Sequence, residues 1–385
     1  MTVPARLRAF AEDLTAIRRD LHEHPELGFQ EHRTAGIVAD ALRGWGIEVT
    51  TGLGGTGVVG VLQGSRPGRT IGLRADMDAL PIDEQTNLPW SSKTPGVMHA
   101  CGHDGHTTML LGAARYLAET RDFAGTAVFI FQPAEEGLGG ARAMLADGLF
   151  ERFPCDEIYG LHNSPYQPEG VVRITPGPAQ AGANFFDIRV TGRGCHAAMP
   201  EAGTDALVAA AALVGQLQTI VARAVPATQE VVLSVTQIHA GSAYNVIPDT
   251  ATLAGTVRYF DRATADLVTR RMREICEGIA RSHDVEVALD MRNVFDVLEN
   301  DARLAEGMIA AAAGVVGAEA ATIDSRKVMG SEDFADMLQR VPGAYCTLGQ
   351  AGTVPLHNPG YVFDDAILPV GAALLARMVE VRGAS

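Results

Sequence analysis

Apolar positions along the chain recur first with a helical period and then in short unbroken runs. The 3.6-residue pattern over 5–23 and 33–43 predicts two amphipathic helices, the second closed by Gly44 and Gly46. Solid apolar runs at 58–62, 70–74, 126–131 and 157–161 predict buried strands. Helical patterns at 107–117 and 139–147 fall between them. Strands alternating with helices predict a mostly parallel sheet with right-handed crossovers.

The pattern changes near residue 183. A half-buried strand at 184–191 is followed by a helix at 204–223 rich in Ala, Leu and Val. Strands at 230–239 and 250–260, a helix at 263–282 and a strand at 284–292 complete the stretch. This β-α-β-β-α-β order predicts a ferredoxin-like α+β unit inserted into the first domain. From 295 the first pattern returns, with a strand at 344–348 and a closing helix at 365–381. The expected organisation is an α/β domain assembled from 1–182 and 295–385, carrying an inserted domain over 183–294.

Composition narrows the partners. The net charge is −15, with 31 basic against 46 acidic residues and no Lys/Arg block, so nucleic acid is not an expected partner. No stretch approaches ~20 uncharged apolar residues, so no membrane span is expected. The N-terminal segment lacks the apolar core of a secretory signal. Five well-separated cysteines argue against a disulfide framework and for a reducing, cytoplasmic setting.

The chemistry concentrates in His99-Ala100-Cys101-Gly102-His103-Asp104-Gly105-His106. Thiolate and imidazole are ligands for borderline-soft divalent ions, but Cys101 and His103 alone cannot close a site. Further donors fall at the ends of predicted strands, where such sheets build their sites: Asp76 and Asp78, then Glu135 and Glu136, then His162. The adjacent carboxylates of Glu135 and Glu136 repel unless cations compensate them. One could ligate while the other serves as a general base in metal-assisted hydrolysis, or the pair could be a solvated turn. Asp78 could orient a ligand imidazole or shape a turn. His357 lies in a Pro- and Gly-bounded loop that only the fold could bring near. His99 and His106 are surplus to a ligand set, though one could support a ligand from behind. His22, His24, His32, His239 and His283 read as surface or structural, and Cys155, Cys276 and Cys346 as core thiols. In the inserted stretch, His196, Asn245 and Arg258 could hold a carboxylate or oxyanion, or could simply punctuate turns and strands.

Seven ordered motifs carry a resemblance: His99–His106, Gln132–Gly137, Gly160-Leu161-His162, Arg193–Pro200, Asn245–Asp249, Gly330-Ser331-Glu332-Asp333-Phe334 and His357-Asn358-Pro359-Gly360. Over about 10–380 the chain resembles the amidohydrolase branch of the aminoacylase/carboxypeptidase-like dinuclear metallohydrolases. That branch includes hippurate hydrolases, auxin-conjugate hydrolases and N-acyl-amino acid amidohydrolases.

The resemblance implies two divalent ions, Zn, Mn, Ni or Co, held by Cys101, His103, Glu136, His162 and His357. It implies that Cys101 bridges ions about 3.5–4 Å apart. Glu135 would be the general acid/base and Asp78 a supporting aspartate. The inserted domain would be a lid and dimerisation domain, giving a homodimer or homotetramer. His196 would reach the neighbouring subunit's site to stabilise an oxyanion, and Asn245 and Arg258 would bind the substrate carboxylate. Two departures stand out: Cys195 replaces the usual glycine before the lid histidine, and Glu201 follows Met199-Pro200 where a basic residue or His is common.

The expected activity is hydrolysis of an N-acyl amino acid to a carboxylic acid and a free amino acid. The alternatives are a dipeptidase- or carboxypeptidase-like exopeptidase, and a non-catalytic metal-binding homologue. A spare glutamate beside a ligand glutamate argues against the last.

Overall fold

The computed structural model describes residues 2–384, which fall into two compact units. The first comprises residues up to Ala179, Leu298–Arg326 and those from Glu332 onward; the second comprises Gln180–Val297 with Lys327–Ser331.

The first unit is built on an eight-stranded sheet. Its strands are β1 Glu48–Leu53, β2 Gly57–Gln63, β3 Arg66–Asp76, β4 Ala124–Gln132, β5 Glu157–Ser164, β6 Val172–Ile174, β7 Ala321–Ile323 and β8 Gly343–Gly349, in the spatial order β1-β2-β4-β3-β5-β8-β6-β7. The four central strands β4, β3, β5 and β8 run parallel, while β1–β2, β2–β4 and β8–β6 are antiparallel. The sheet is therefore mixed, with a parallel centre. Along β4 the residues alternate between two cores. Ala127, Phe129 and Phe131 join the core that contains the long helices His103–Thr120, Ala302–Val316 and Leu368–Arg382. Val128 and Ile130 join the one that contains Gly140–Ala146 and Phe334–Leu338. Burial on both faces explains why β4 reads as an unbroken apolar run.

Several boundaries differ from the periodicity. The predicted helix 5–23 is two, Ala5–Ala9 and Ala11–Glu23, parted at the buried Phe10. Strand β1 was not expected, because Glu48, Thr50 and Thr51 give it no apolar run. The helix predicted from 107 begins at His103.

In the second unit, strands Val231–Ala240, Thr250–Tyr259, Gly182–Thr191 and Glu286–Phe295 form an antiparallel sheet in that spatial order. Helices Ala206–Thr219 and Arg262–His283 share one apolar core with it. Relative to chain order the strands lie second-third-first-fourth, the ferredoxin-like arrangement. Ala206–Ala224 is the one helical stretch among the described residues long and apolar enough to cross a membrane. Here Ala209, Leu213, Leu217 and Ile220 belong to the unit's core instead.

At the end of β3, inside the first unit, Arg74 is wholly buried. Its guanidinium donates to Gln132 Oε1 (2.8 Å), Asp76 Oδ2 (2.7 Å), Glu332 Oε1 (2.8 Å) and Asp333 Oδ1 (3.1 Å). One cation thus ties β3 and β4 to the 332–333 segment. A second buried group links the N-terminal helix to the site-bearing one. His22 Nδ1 lies 2.8 Å from Asp104 Oδ2, and Nε2 lies 3.4 Å from Glu84 Oε1. Burial opposes a charge on His22, but the hydrogen bonds to Asp104 and Glu84 win and raise its pKa to about 9.

Two stability predictions follow from these groups. Arg74→Met strands three buried carboxylates, which costs about 3–5 kcal/mol. Differential scanning calorimetry should show the thermal midpoint falling by roughly 6 °C or more; a midpoint equal to wild type would refute the assignment. For His22, the folded pKa lies above the unfolded value of 6.5, so its stabilisation is complete below 6.5 and is lost as pH rises through about 9. Melting curves from pH 6 to 10 should show a decline that His22→Gln flattens, and parallel profiles for the two proteins would exclude it.

Candidate metal centre

The first unit's parallel strands deliver polar side chains to one edge. Arg74 on β3 stands opposite Ile130 on β4 and Gly160 on β5, so Asp76, Gln132 and His162 end level with one another. The crevice beyond the carboxyl ends of parallel strands is where such sheets bind ligands. Beyond β4 the chain turns through Ala134, whose φ of 53° lies in the left-handed region, and presents Glu135 and Glu136.

Cys101 and His103 sit at the start of the helix His103–Thr120. Gly102 between them takes a φ of 96°, and a Cβ there would collide with Asn163 Oδ1. The glycine answers a left-handed turn and a close approach, not a need for flexibility. The distant His357 arrives because its backbone N–H donates to Ala100 O at 2.8 Å; its own φ is 61°.

Donor atoms of Cys101, His103 and His162 lie within 4.8 Å of one another, and so do those of Cys101, Glu136 and His357. The Cys101 sulfur belongs to both groups. Its Sγ lies 3.3 Å from His162 Nε2, and His357 Nε2 lies 3.3 Å from Glu136 Oε1. Glu135 is set apart from Cys101. It shares one group with His103 and Glu136 and another with Glu332 and Asp333.

The supporting bonds fix which nitrogen faces inward. Asp78 Oδ1 pairs with His103 Nδ1 at 3.1 Å, while its Oδ2 accepts from the Glu136 N–H at 3.0 Å. His162 Nδ1 donates to Asn163 O at 2.6 Å, which turns the Nε2 lone pair toward Cys101. His106 bridges Asp76 Oδ1 (2.6 Å) and Asn163 Oδ1 (2.7 Å). His103 Nε2 is buried and has no hydrogen-bond partner among the described residues. An orphaned imidazole nitrogen facing a thiol and the carboxylates of Asp76, Glu135 and Glu136 is what a soft-to-borderline divalent cation would satisfy, so the residues fit a metal.

Electrostatics agree with that fit. Burial, then Glu332 and Glu136, push the Glu135 carboxyl well above the usual range. Burial and Glu136 raise the Cys101 thiol. Burial, with His106 nearby, holds His162 well below its ordinary value and therefore neutral. For His103 burial opposes the charge, but Asp76 and Cys101 outweigh it and raise the pKa. A cation would relieve the crowded acids and let the thiol ionise.

Of the sequence-derived residues, Cys101, His103, Glu136, His162, His357, Glu135 and Asp78 converge on this edge. His22, read as surface or structural, is buried beneath it. His99 is also buried, with neither ring nitrogen partnered among the described residues. Sequence reasoning gave no role to Arg74, Asn163 or Glu332, and did not show that Asp76 would bond His106. The Glu332-Asp333 motif was visible, but nothing in it announces a guanidinium buried 258 residues away.

His196, Asn245 and Arg258 belong to the second unit. His196 pairs with Val246 in a two-stranded ribbon, and Ala197 N donates to Asn245 O, so His196 and Asn245 share one turn region. Arg258 is at the other end of strand Thr250–Tyr259, about 26 Å along it at ~3.3 Å per residue. Its guanidinium donates to Ser331 Oγ at 2.6 Å. Within one copy of this unit, Asn245 precedes this strand and Arg258 lies near its far end. Cys195 packs its thiol against Gly203, where a Cβ would stand 2.7 Å from Sγ. Glu201 lies exposed in the turn Pro200–Ala202.

Comparison with known proteins agrees with the geometry. The chain is 43% identical over 362 residues to a hippurate hydrolase of Campylobacter jejuni, covering 94% of each. It is 37% identical to thermostable carboxypeptidase 1 of Saccharolobus solfataricus, over 96% of each. Its fold superposes on a Bacillus subtilis crystal structure described as a dinuclear metal-binding peptidase of family M20, with a TM-score of 0.85, 36% identity and coverage of 97% and 98%. Residues 72–381 match the family model, and with that match, these relatives and the donor geometry, the chain belongs to peptidase family M20/M25/M40.

Proposed function

We propose that this chain is a metal-dependent amidohydrolase that cleaves N-acyl amino acids into a carboxylic acid and a free amino acid. The observation that carries the reading is one sulfur, Cys101, shared by two donor groups, with an uncommitted carboxyl, Glu135, beside them. A hydrolase acting on amide bonds is what the family and the hippurate hydrolase relative support.

Cys101, His103 and His162 would hold one divalent ion, and Cys101, Glu136 and His357 a second. When bound, the ions polarise the acyl oxygen and lower the pKa of water toward about 7. The chain supplies the rest. Asp78 holds His103 by Nδ1 and the Glu136 backbone by its other oxygen, so one side chain sets two ligands. Glu135 takes the proton of the attacking water and delivers it to the amide nitrogen, so the amine leaves neutral. Burial suits it to the second half of that cycle, because a carboxyl held in its acid form donates readily. His196 and Asn245 are proposed donors to the substrate's developing oxyanion and carboxylate, in an oligomer formed through the second unit. Thiolate and imidazole ligation favours Zn or Ni over Mn or Co. Five cysteines free of disulfides fit a cytoplasmic location.

The carboxypeptidase relative supports a second reading, an exopeptidase using the same machinery. Kinetics on N-benzoyl and N-acetyl amino acids against dipeptides separates the two. We expect kcat/KM at least tenfold higher for the acyl amino acids, and the reverse order would favour the exopeptidase.

Glu135→Gln should keep its metal content, since Glu135 is outside the groups containing Cys101, and lose about 10²–10⁴-fold in kcat. Elemental analysis beside steady-state kinetics checks this; near-normal turnover would remove Glu135 from the mechanism. Chelation should abolish activity, and restoring a divalent ion should recover it. Because binding displaces protons from Cys101 and His103, apparent metal affinity should weaken as pH falls. Equilibrium dialysis across pH 6–9 tests the sign.

A further inference from the structure

The segment Glu26–Glu31 links the helix Ala11–Glu23 to His32–Gly44. It touches both loops that carry the site's carboxylates. Toward the β3 loop, Ala79 N donates to Glu26 O at 2.8 Å, and Leu27 forms a parallel bridge with Ala79, the residue after Asp78. Toward the β4 loop, Glu31 Oε1 accepts from Ala134 N at 2.8 Å, and Ala134 is the residue before Glu135. Gly28 lies so close to Ala134 that a Cβ on it would be 3.0 Å from the alanine's own. The two loops meet again where Asp78 Oδ2 accepts from Glu136 N.

Glu31 is a costly anchor. It is fully buried, and no ion pair to it is found among the described residues; its other oxygen accepts from the Thr56 hydroxyl at 2.5 Å. A buried carboxylate with only neutral donors loses hydration that a surface position would retain. Ala134 is itself strained at a φ of 53°, a region that favours glycine. Burial and strain meet at a single hydrogen bond, one residue from Glu135 and two from Glu136.

We infer that Glu26–Glu31 is a brace and that Glu31 is a positioning residue for the hydrolytic site. Through Ala134 it sets the direction in which Glu135 and Glu136 leave the sheet, and through Ala79 the same segment fixes their spacing from Asp78. Glu31 touches neither substrate nor reacting atoms. The inference rests on the amidohydrolase reading for its kinetic consequence but not for its structural one.

The test compares Glu31→Ala, Glu31→Gln and Thr56→Val in the full-length, metal-reconstituted protein. Glu31→Ala leaves Ala134 N–H without its acceptor. We expect kcat on an N-benzoyl amino acid to fall 10–100-fold with KM within about threefold, since small misplacement of a reacting group costs about that much. Hydrogen exchange should accelerate over 132–140 and stay unchanged over 107–117. The visible spectrum of the cobalt-substituted protein should shift, because Glu136 is carried on the released loop. Glu31→Gln can still accept from Ala134 with its amide oxygen while Thr56 reverses from donor to acceptor, so it should restore most of the loss. Should Glu31→Ala fail to fold, Thr56→Val removes only the hydroxyl and should move exchange over 132–140 and the cobalt spectrum in the same direction, to a smaller extent. Unchanged exchange and spectrum in Glu31→Ala, or in Thr56→Val where the alanine variant does not fold, would overturn the inference. So would equal impairment of the Gln and Ala variants, which would assign the effect to charge. If the wild type hydrolyses no N-acyl amino acid, the functional reading fails, and the exchange and cobalt arms still decide the brace.

Discussion

The site depends on a cation that never reaches it. Arg74 is buried at the end of a central strand and is satisfied only by carrying Asp76, Gln132, Glu332 and Asp333 with it. Each partner then does a second job. Asp76 orients His106, which bonds Asn163 beside His162. Asp333 accepts from Ala141 N, just past the Glu135–Glu136 loop. An unpaired guanidinium or carboxylate at this depth would cost far more than any of these bonds gains, so the network forms whole or not at all. That all-or-none character gives the donors their fixed positions before any ion arrives.

Rigid supply of donors has a conformational cost, and it falls on residues next to the chemistry. Ala134 and His357 both occupy left-handed backbone. Neither is glycine, so each is held there by its surroundings: Ala134 by Glu31, and His357 by the Ala100 carbonyl. Strain of this kind, next to proposed ligands and a proposed proton carrier, is characteristic of sites whose geometry is set by the scaffold and not by the ligand.

Much of this could be read from the sequence because strand ends are marked by polarity. The unbroken apolar run of β4 located its end, and the end located Glu135 and Glu136. The same logic found Asp78 and His162. What could not be read is what depends on depth. His22 and His99 look like any polar helix or loop residues, and their burial is set by packing from helices distant in sequence. Arg74 reads as an ordinary strand residue, because periodicity cannot say that both faces of its strand are covered. Strand β1 carries no apolar run, since its polar residues lie on an edge of the sheet.

The strand order of the large sheet has a consequence for biosynthesis. Among the described residues strand β6 bonds only to β7 and β8, which emerge from the ribosome about 150 and about 170 residues later. A nascent chain that has completed β1–β6 therefore holds β5 with one open edge and β6 with no neighbour. His357 follows β8, so the last donor is translated after the strand that closes the sheet. Growing chains thus expose an incomplete set of thiol and imidazole groups, and any ion held with the help of His357 would have to wait for residues beyond β8.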